Sequence, residues 1–232
     1  EAYEAFGDCE TMLKLTEGMV RSAASVVGDA SEIFFGSLKM DYASPFDRIS
    51  YGDLFEKSLS IKMSDEAAVR LFAKESGVDE ADTLNHWLLV DVLFGAKVEE
   101  TLDPSRPTFV TDFPSAISPL TRPHSDDPTL SHRWELFVGG MEIANAYTEL
   151  NDPDLQLQRF TEQLEGAGEE VSAFRSLDED FIHALRVGMP PAGGLGLGID
   201  RLVMLISGQE SIRDVILFPL MRPLGEKDES DS

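Results

Sequence analysis

The chain has 232 residues, of which 42% are hydrophobic and one is cysteine, so it can build one sizeable core but neither an internal disulfide nor a cysteine zinc site. Its formal net charge of −24 argues against a surface built to bind nucleic acid, which needs clustered lysine and arginine. No apolar run approaches the ~20 residues that cross a bilayer, and no signal peptide is evident. We therefore expect a cytoplasmic protein with no membrane partner.

The first half of the sequence predicts three helices and one strand. The helices are expected from Asp8 to about Val27, from Ser64 to Glu75 and from Thr83 to about Glu100, and the strand from Ile33 to Met40. Short polar side chains at the helix starts can cap free backbone N–H groups, and glycines follow the first two helices.

The second half predicts a hairpin followed by alternating helices and strands. Strands are expected over Thr108–Phe113, Trp134–Val138, Met141–Leu150, Leu195–Ile199 and Val215–Phe218, and helices from Pro153, over Asp178–Val187 and over Asp200–Ser207. Gly139-Gly140 between two strand-like runs is a strong hairpin signal. No repeat or linker interrupts the pattern, which indicates one α+β domain over residues 1–224 and a disordered tail over 225–232.

The hairpin brings two glutamates together. With Gly139-Gly140 as a two-residue turn, Phe137 faces Glu142 and Glu135 faces Ala144. Glu135 and Glu142 are then diagonal neighbours on one face, with Cβ atoms roughly 7 Å apart. Two such carboxylates can share Mg²⁺ with substrate phosphates. The alternative is that both are solvent-exposed glutamates on a wet sheet face.

Three further polar residues follow Glu142 in the same strand. Asn145, Tyr147 and Glu149 share a face by the two-residue period of a strand, and in a regular strand that face is opposite to Glu142. If all four serve one pocket, the strand must contain a bulge between Glu142 and Asn145, because one extra residue reverses the alternation.

A glycine-rich strand precedes the last predicted helix. Glycines at 193, 194, 196 and 198 allow a backbone or a flat ligand to approach closely, and a helix N-terminus favours anions. Arg201 in the first turn can contact a phosphate or stack on a base. The spacing does not fit a dinucleotide-binding G-x-G-x-x-G motif. Taken alone, this pattern is explained equally well by close packing of a strand under a helix.

Together these segments resemble the lysyl branch of the class II aminoacyl-tRNA synthetases, in order and over essentially the whole chain. The segment Gly194–Arg201 resembles motif 3, and Glu1–Phe6 is similar to the end of motif 2. The segments that resemble the lysyl branch are Phe109–Pro114, Ser118–Leu120, Glu142–Asp152 and Ile212–Pro219.

The resemblance implies a role for each candidate residue. Glu135 and Glu142 match the acidic pair that binds Mg²⁺ and, through it, ATP. Arg201 matches the motif 3 arginine that contacts the γ-phosphate and the adenine. The residues that match the lysine site are Glu149 and Tyr3 at the ε-ammonium, Glu1 and Asn145 at the amino-acid head group, and Tyr147 in the pocket wall. Arg133 receives no role.

The resemblance also implies the reaction and the partners. The expected activity is that of a lysine–tRNA ligase, which uses ATP with Mg²⁺ to activate lysine and transfers it to tRNA(Lys). The expected fold is the class II catalytic fold, an antiparallel sheet flanked by helices, here without motif 1 and the front half of motif 2. Because the chain starts at Glu1 and motif 1 builds the dimer of the family, we expect a fragment that is inactive alone and a homodimeric whole.

Three alternatives stay open at this stage. A paralogue could attach a lysine-type group to a protein rather than to tRNA. A synthetase for aspartate or asparagine is a second alternative, although Glu149 has the wrong charge for an aspartate pocket. A regulatory or interaction domain without activity is the third, and it would be expected to have lost Glu135, Glu142 or Arg201.

Overall fold

The protein is described here by a computed structural model that covers residues 1–79, 81–166 and 177–219. The strands are β1 (Ala2–Ala5), β2 (Ile33–Phe35), β3 (Leu38–Met40), β4 (Asp47–Ser50), β5 (Thr108–Pro114), β6 (Leu130–Val138), β7 (Met141–Thr148) and β8 (Ala192–Leu197). The helices are α1 (Cys9–Val27), α2 (Tyr51–Leu59), α3 (Glu66–Glu75), α4 (His86–Leu93), α5 (Pro153–Gly166), α6 (Glu179–Val187) and α7 (Ile199–Ser207).

Six strands form the central sheet in the order β1-β8-β7-β6-β5-β4, and β2 and β3 form a separate hairpin. Neighbouring strands of the sheet are antiparallel except β4 and β5, which are parallel. The sheet is thus mainly antiparallel, as expected, with one parallel pair that was not predicted. The parallel pair arises because the helical segment between β4 and β5 returns the chain to the same end of the sheet, as a parallel crossover requires.

The two faces of the sheet are covered unequally. On one face, α1 and α7 pack against the sheet around a core that includes Trp134, Leu136 and Ala146. On the other face, α2 to α4 cover β5 around a second core that includes Val110 and Phe113. The second face is therefore buried only near β5, and it stays accessible toward β7, β8 and β1.

Helix α1 has the cap and the buried apolar side that the sequence predicts. The Asp8 carboxylate accepts a hydrogen bond from the Thr11 N–H at 2.8 Å, and the Thr11 hydroxyl accepts one from the Asp8 N–H at 2.7 Å. This capping box starts the helix. Met12, Val20 and Ala24 lie fully buried on one side of it, at the spacing expected of an amphipathic helix.

Several predicted elements are different in the structure. The strand predicted from Ile33 to Met40 is the hairpin β2–β3, because Gly36 adopts a positive φ of 55° and reverses the chain. The helix predicted to reach Glu100 changes after α4 into a π-helical turn, Phe94–Val98, and a 3-10 turn, Glu99–Thr101.

The last predicted strand is also wrong. Residues 215–218 follow a 3-10 turn, Ile212–Asp214, and pair with no strand among the described residues. Strands β1 and β4 and helix α2 were not predicted. The tail predicted over 225–232 lies outside the described residues. Within the described part of the chain, no helix has the length and apolar character to cross a membrane.

Trp134 tests the packing between α1 and the sheet. Its ring is 1% exposed and lies edge-on against Phe109 at 4.9 Å between centroids, and its Nε1–H donates to the Cys9 carbonyl at 2.7 Å. Trp134→Phe removes that hydrogen bond and leaves a small void, and it is expected to lower the free energy of unfolding by about 2 kcal/mol. Chemical denaturation measures this, with Trp87→Phe as the control at the more exposed tryptophan. Equal effects at both positions would contradict this packing.

Candidate active site

A bulge in the β6–β7 ladder sets the geometry of the site. Phe137 pairs with Glu142, but the next pair is Leu136 with Ala144, so Ile143 is an extra residue in β7. The inserted residue reverses the alternation of the strand, as a bulge does. The predicted bulge between Glu142 and Asn145 is confirmed, and the predicted pairing of Glu135 with Ala144 is wrong because Glu135 lies opposite Asn145 instead.

The bulge brings the predicted site residues to one face of the sheet. Glu135 pairs with Asn145, and Arg133 pairs with Tyr147, so these four share a face. Tyr147 pairs with Gly194, and Gly194 pairs with Tyr3, which extends the same face across β8 and β1. These strand residues thus lie on the accessible side of the sheet, opposite to the face that α1 and α7 cover.

A cavity of about 440 Å³ on this face collects four of the predicted residues. Its wall includes Glu1, Glu142, Asn145 and Arg201, together with the glycine-rich strand. A larger cavity of about 520 Å³ lies at the start of α1 and contains none of the predicted site residues. The chemistry of the lining therefore favours the smaller cavity as the site.

The junction of β8 and α7 holds the bulge in place. The Gly198 N–H donates to the Ile143 carbonyl at 2.8 Å, and Arg201 Nη1 donates to the Glu142 carbonyl at 2.5 Å. These bonds satisfy two carbonyl groups at the point where the ladder is disrupted. Arg201 therefore reaches the same stretch of β7 that carries the candidate ligands.

Glu149 occupies a half-buried pocket beside Gly194 and two tyrosines. A Cβ placed on Gly194 would clash with Glu149 Oε1 and would lie 3.1 Å from Tyr3 Cε1, so the missing side chain of Gly194 provides the space for the carboxylate. Burial raises the pKa of Glu149 to about 7. Burial also raises the pKa of Tyr147, and the nearby charge of Glu149 contributes. A half-buried carboxylate between two tyrosine side chains is suited to a cationic group.

Glu135 lies deeper, next to Arg133. Arg133 Nη2 and Glu135 Oε1 are 2.6 Å apart, and their side chains are 19% and 12% exposed. Burial raises the pKa of Glu135 to about 7; Arg133 opposes this rise and the charge of Glu142 adds to it. Two carboxylates on one face are the hard oxygen ligands that Mg²⁺ takes. The donor set therefore fits Mg²⁺ shared with phosphate oxygens.

Two residues of the site were not identified from the sequence. Arg133 received no role, although it contacts both Glu135 and Asn145. The space that Gly194 provides was not predicted either. Only the pairing of β8 with β7 and β1 shows that Gly194 lies between Tyr147 and Tyr3.

Comparison with protein families gives the identity of the fold. The model described as tRNA synthetases class II (D, K and N) matches residues 1–222. The chain belongs to this family. The predicted class II catalytic fold is therefore confirmed, and in this chain it contains a six-stranded sheet with helices on both faces.

Individual relatives carry the name lysine–tRNA ligase. The chain is 40% identical over 225 residues to the one from Porphyromonas gingivalis, covering 96% of the chain and 39% of that relative. It is 43% identical over 226 residues to the one from Staphylococcus aureus strain MRSA252, covering 96% and 45%. For Carboxydothermus hydrogenoformans the identity is 42% over 226 residues, covering 96% and 46%. The chain thus spans less than half the length of these curated relatives.

Two adjacent glycines of β8 give a matched test of the pocket. Gly194→Ala is expected to displace the flexible end of Glu149 and move its pKa from about 7 toward its ordinary value, with less than about 1 kcal/mol of change in stability. Gly193→Ala places a Cβ 2.6 Å from the Asp8 carbonyl oxygen and is expected to cost about 1–3 kcal/mol.

The pKa is measured by NMR titration of the Glu149 carboxyl, and stability by urea denaturation. An unchanged Glu149 pKa in Gly194→Ala, or a greater loss of stability there than in Gly193→Ala, would contradict the described pocket.

Proposed function

We propose that the protein containing this chain is a lysine–tRNA ligase, which activates lysine with ATP to lysyl-adenylate and transfers the lysyl group to tRNA(Lys). The observation that carries the proposal is the half-buried Glu149, in a pocket formed with Tyr3 and Gly194, on the same sheet face as the cavity lined by Arg201 and Glu142. The names of the relatives support the same amino acid.

In this proposal Glu149 pairs with the ε-ammonium of lysine. A buried ammonium needs a carboxylate partner and hydrogen bonds, and the hydroxyls of Tyr3 and Tyr147 are suited to supply them. Without the ammonium, Glu149 would be half-buried and unpaired. The pocket therefore rejects amino acids that lack a cationic side chain of the right length.

The head group and ATP lie further along the same face. We assign Glu1 and Asn145 to the head group of lysine because both line the cavity next to the glycine-rich strand. Arg201, at the start of α7, is assigned to the γ-phosphate and the adenine. Glu135 and Glu142 would hold Mg²⁺, which neutralises phosphate charge when it is bound.

The reaction is a displacement at phosphorus. A carboxylate oxygen of lysine attacks the α-phosphorus of ATP, a new P–O bond forms, and the bond to the leaving pyrophosphate breaks. The residues of the chain orient the two substrates and stabilise charge, so no covalent protein nucleophile is needed. The 3′-terminal ribose hydroxyl of tRNA then attacks the activated carbonyl and releases AMP.

Partners beyond the substrates follow from the same proposal. We expect a cytoplasmic homodimer in which sequence outside this chain supplies the dimer contact and most of the tRNA contacts. A net charge of −24 over the 232 residues makes the chain a poor surface for the phosphates of tRNA. The chain alone is expected to be inactive. No observation on the chain favours attachment of lysine to a protein.

Glu149→Gln tests the amino-acid assignment. In the full-length protein, ATP–pyrophosphate exchange should depend on lysine, not on ornithine or aspartate. The variant should lose at least about 100-fold in kcat/KM for lysine, because a charge-assisted pair in a buried site is lost. Glu4→Gln is the matched control, because Glu4 is an exposed neighbour of Tyr3 in β1. Exchange with aspartate, or full lysine activity in Glu149→Gln, would refute the assignment.

A further inference from the structure

Arg133 contacts several parts of the candidate site, and no role has yet been assigned to it. Its Nη2 donates to Glu135 Oε1 at 2.6 Å, and its Nε donates to Asn145 Oδ1 at 3.3 Å. Its Nη1 donates at 3.2 Å both to the Ile117 carbonyl and to the Ser118 hydroxyl. One guanidinium therefore connects a candidate Mg²⁺ ligand, a candidate head-group ligand and the loop after β5.

The Arg133 guanidinium also packs against a series of buried aromatic rings. It lies over the Phe113 ring at 4.6 Å from the centroid. Phe113 packs against Tyr51 at 4.9 Å, and Tyr51 stacks on Phe94 at 3.8 Å. These rings come from β5, α2 and the π-helical turn and are buried. The helices that cover β5 thus form a rigid base for Arg133, and a cation–π contact fixes the plane of its fork.

We propose that Arg133 is a positioning residue that couples the ATP subsite to the lysine subsite. It holds the Glu135 carboxylate and the Asn145 amide in one fixed arrangement. The residues of both subsites are therefore already oriented before either ligand binds. This inference rests on the proposed function, because it takes Glu135 as a Mg²⁺–ATP ligand and Asn145 as a lysine ligand. Arg133 itself need not touch either substrate.

The shape of the arginine side chain is essential to this role. A planar guanidinium offers five N–H donors in a fixed fork, and four of its contacts here use three different nitrogens. A lysine at this position keeps the charge but carries all its donors on one nitrogen, so it cannot reproduce contacts that leave the arginine from three nitrogens in fixed directions. Arg133→Lys therefore removes the proposed coupling between the ATP and lysine subsites while it keeps the positive charge.

The test uses the full-length protein and variants of Arg133, Asn145 and Arg186. Arg133→Lys and Arg133→Met remove the fork with and without the charge. Arg186→Met is the matched control, because Arg186 lies on α6 with one loose ion pair, 3.8 Å from Asp154, and is 55% exposed. Lysine affinity is measured by calorimetry without ATP and Mg²⁺. The Mg²⁺ concentration at half-maximal pyrophosphate exchange, the KM for lysine and kcat are measured separately, and thermal unfolding reports on folding.

We expect Arg133→Lys to weaken lysine binding and to raise the half-maximal Mg²⁺ concentration, each by about 10- to 100-fold, which is the range for a lost charge-assisted hydrogen bond. Combining Arg133→Lys with Asn145→Ala should weaken lysine binding no more than Asn145→Ala alone, because both changes remove one interaction. Arg186→Met should match the parent in all measurements.

Two results would overturn the inference. One is parental lysine affinity and parental Mg²⁺ dependence in Arg133→Lys, in a protein that is otherwise active with lysine. The other is full additivity of Arg133→Lys with Asn145→Ala, which would show that the two side chains act separately. A parent without lysine-dependent exchange would instead refute the proposed function. If Arg133→Met does not fold, Arg133→Lys still decides.

Discussion

One extra residue in a strand, Ile143, determines which side chains can form a common site. Without it, Glu142 would lie on the opposite face of β7 from Asn145 and Tyr147, because strand residues alternate. With it, the side chains of three strands converge on one accessible face. The bulge is stabilised by the β8–α7 junction, where Gly198 and Arg201 bind the two carbonyl groups of the disrupted ladder. The glycine-rich segment of β8 and the start of α7 therefore fix the geometry of the neighbouring strand β7 and also line the cavity.

Burial and charge then divide this face into two parts with different chemistry. Glu149 has space only because Gly194 has no side chain, and among the described residues it has no cation of its own within ion-pair distance. Glu135, in contrast, is bonded to Arg133, which rests on rings from the helical layer. One carboxylate is thus prepared for an external cation, and the other is held in a fixed orientation. The Arg133–Glu135 pair depends on the packing of β5, α2 and the π-helical turn, whereas the space for Glu149 depends on the pairing of β7, β8 and β1.

Much of this could be predicted from the sequence, and the failures have physical causes. The Gly139-Gly140 turn, the Asp8 cap of α1 and the bulge in β7 were predicted from short stretches of sequence, and the structure confirms them. The pairing of Glu135 failed because the position of a bulge within a strand depends on what binds its free carbonyls, and that partner is distant in sequence. Arg133 received no role from the sequence because its contacts join β6, β7 and the loop after β5. The predicted strand at 215–218 failed because an apolar run indicates a strand only where another strand can pair with it.

The central claim, that Glu149 is the partner of the lysine ammonium, is tested most directly by lysine titration calorimetry on the full-length protein at several pH values. The pKa of Glu149 is raised to about 7 in the ligand-free protein, and pairing with the ammonium must lower it. Binding should therefore release a proton below that pKa, and affinity should fall about tenfold between pH 8 and pH 6. Glu149→Gln should bind weakly and lose this dependence. Equal lysine affinity at both pH values without proton release, or the same pH dependence in Glu149→Gln, would contradict the claim.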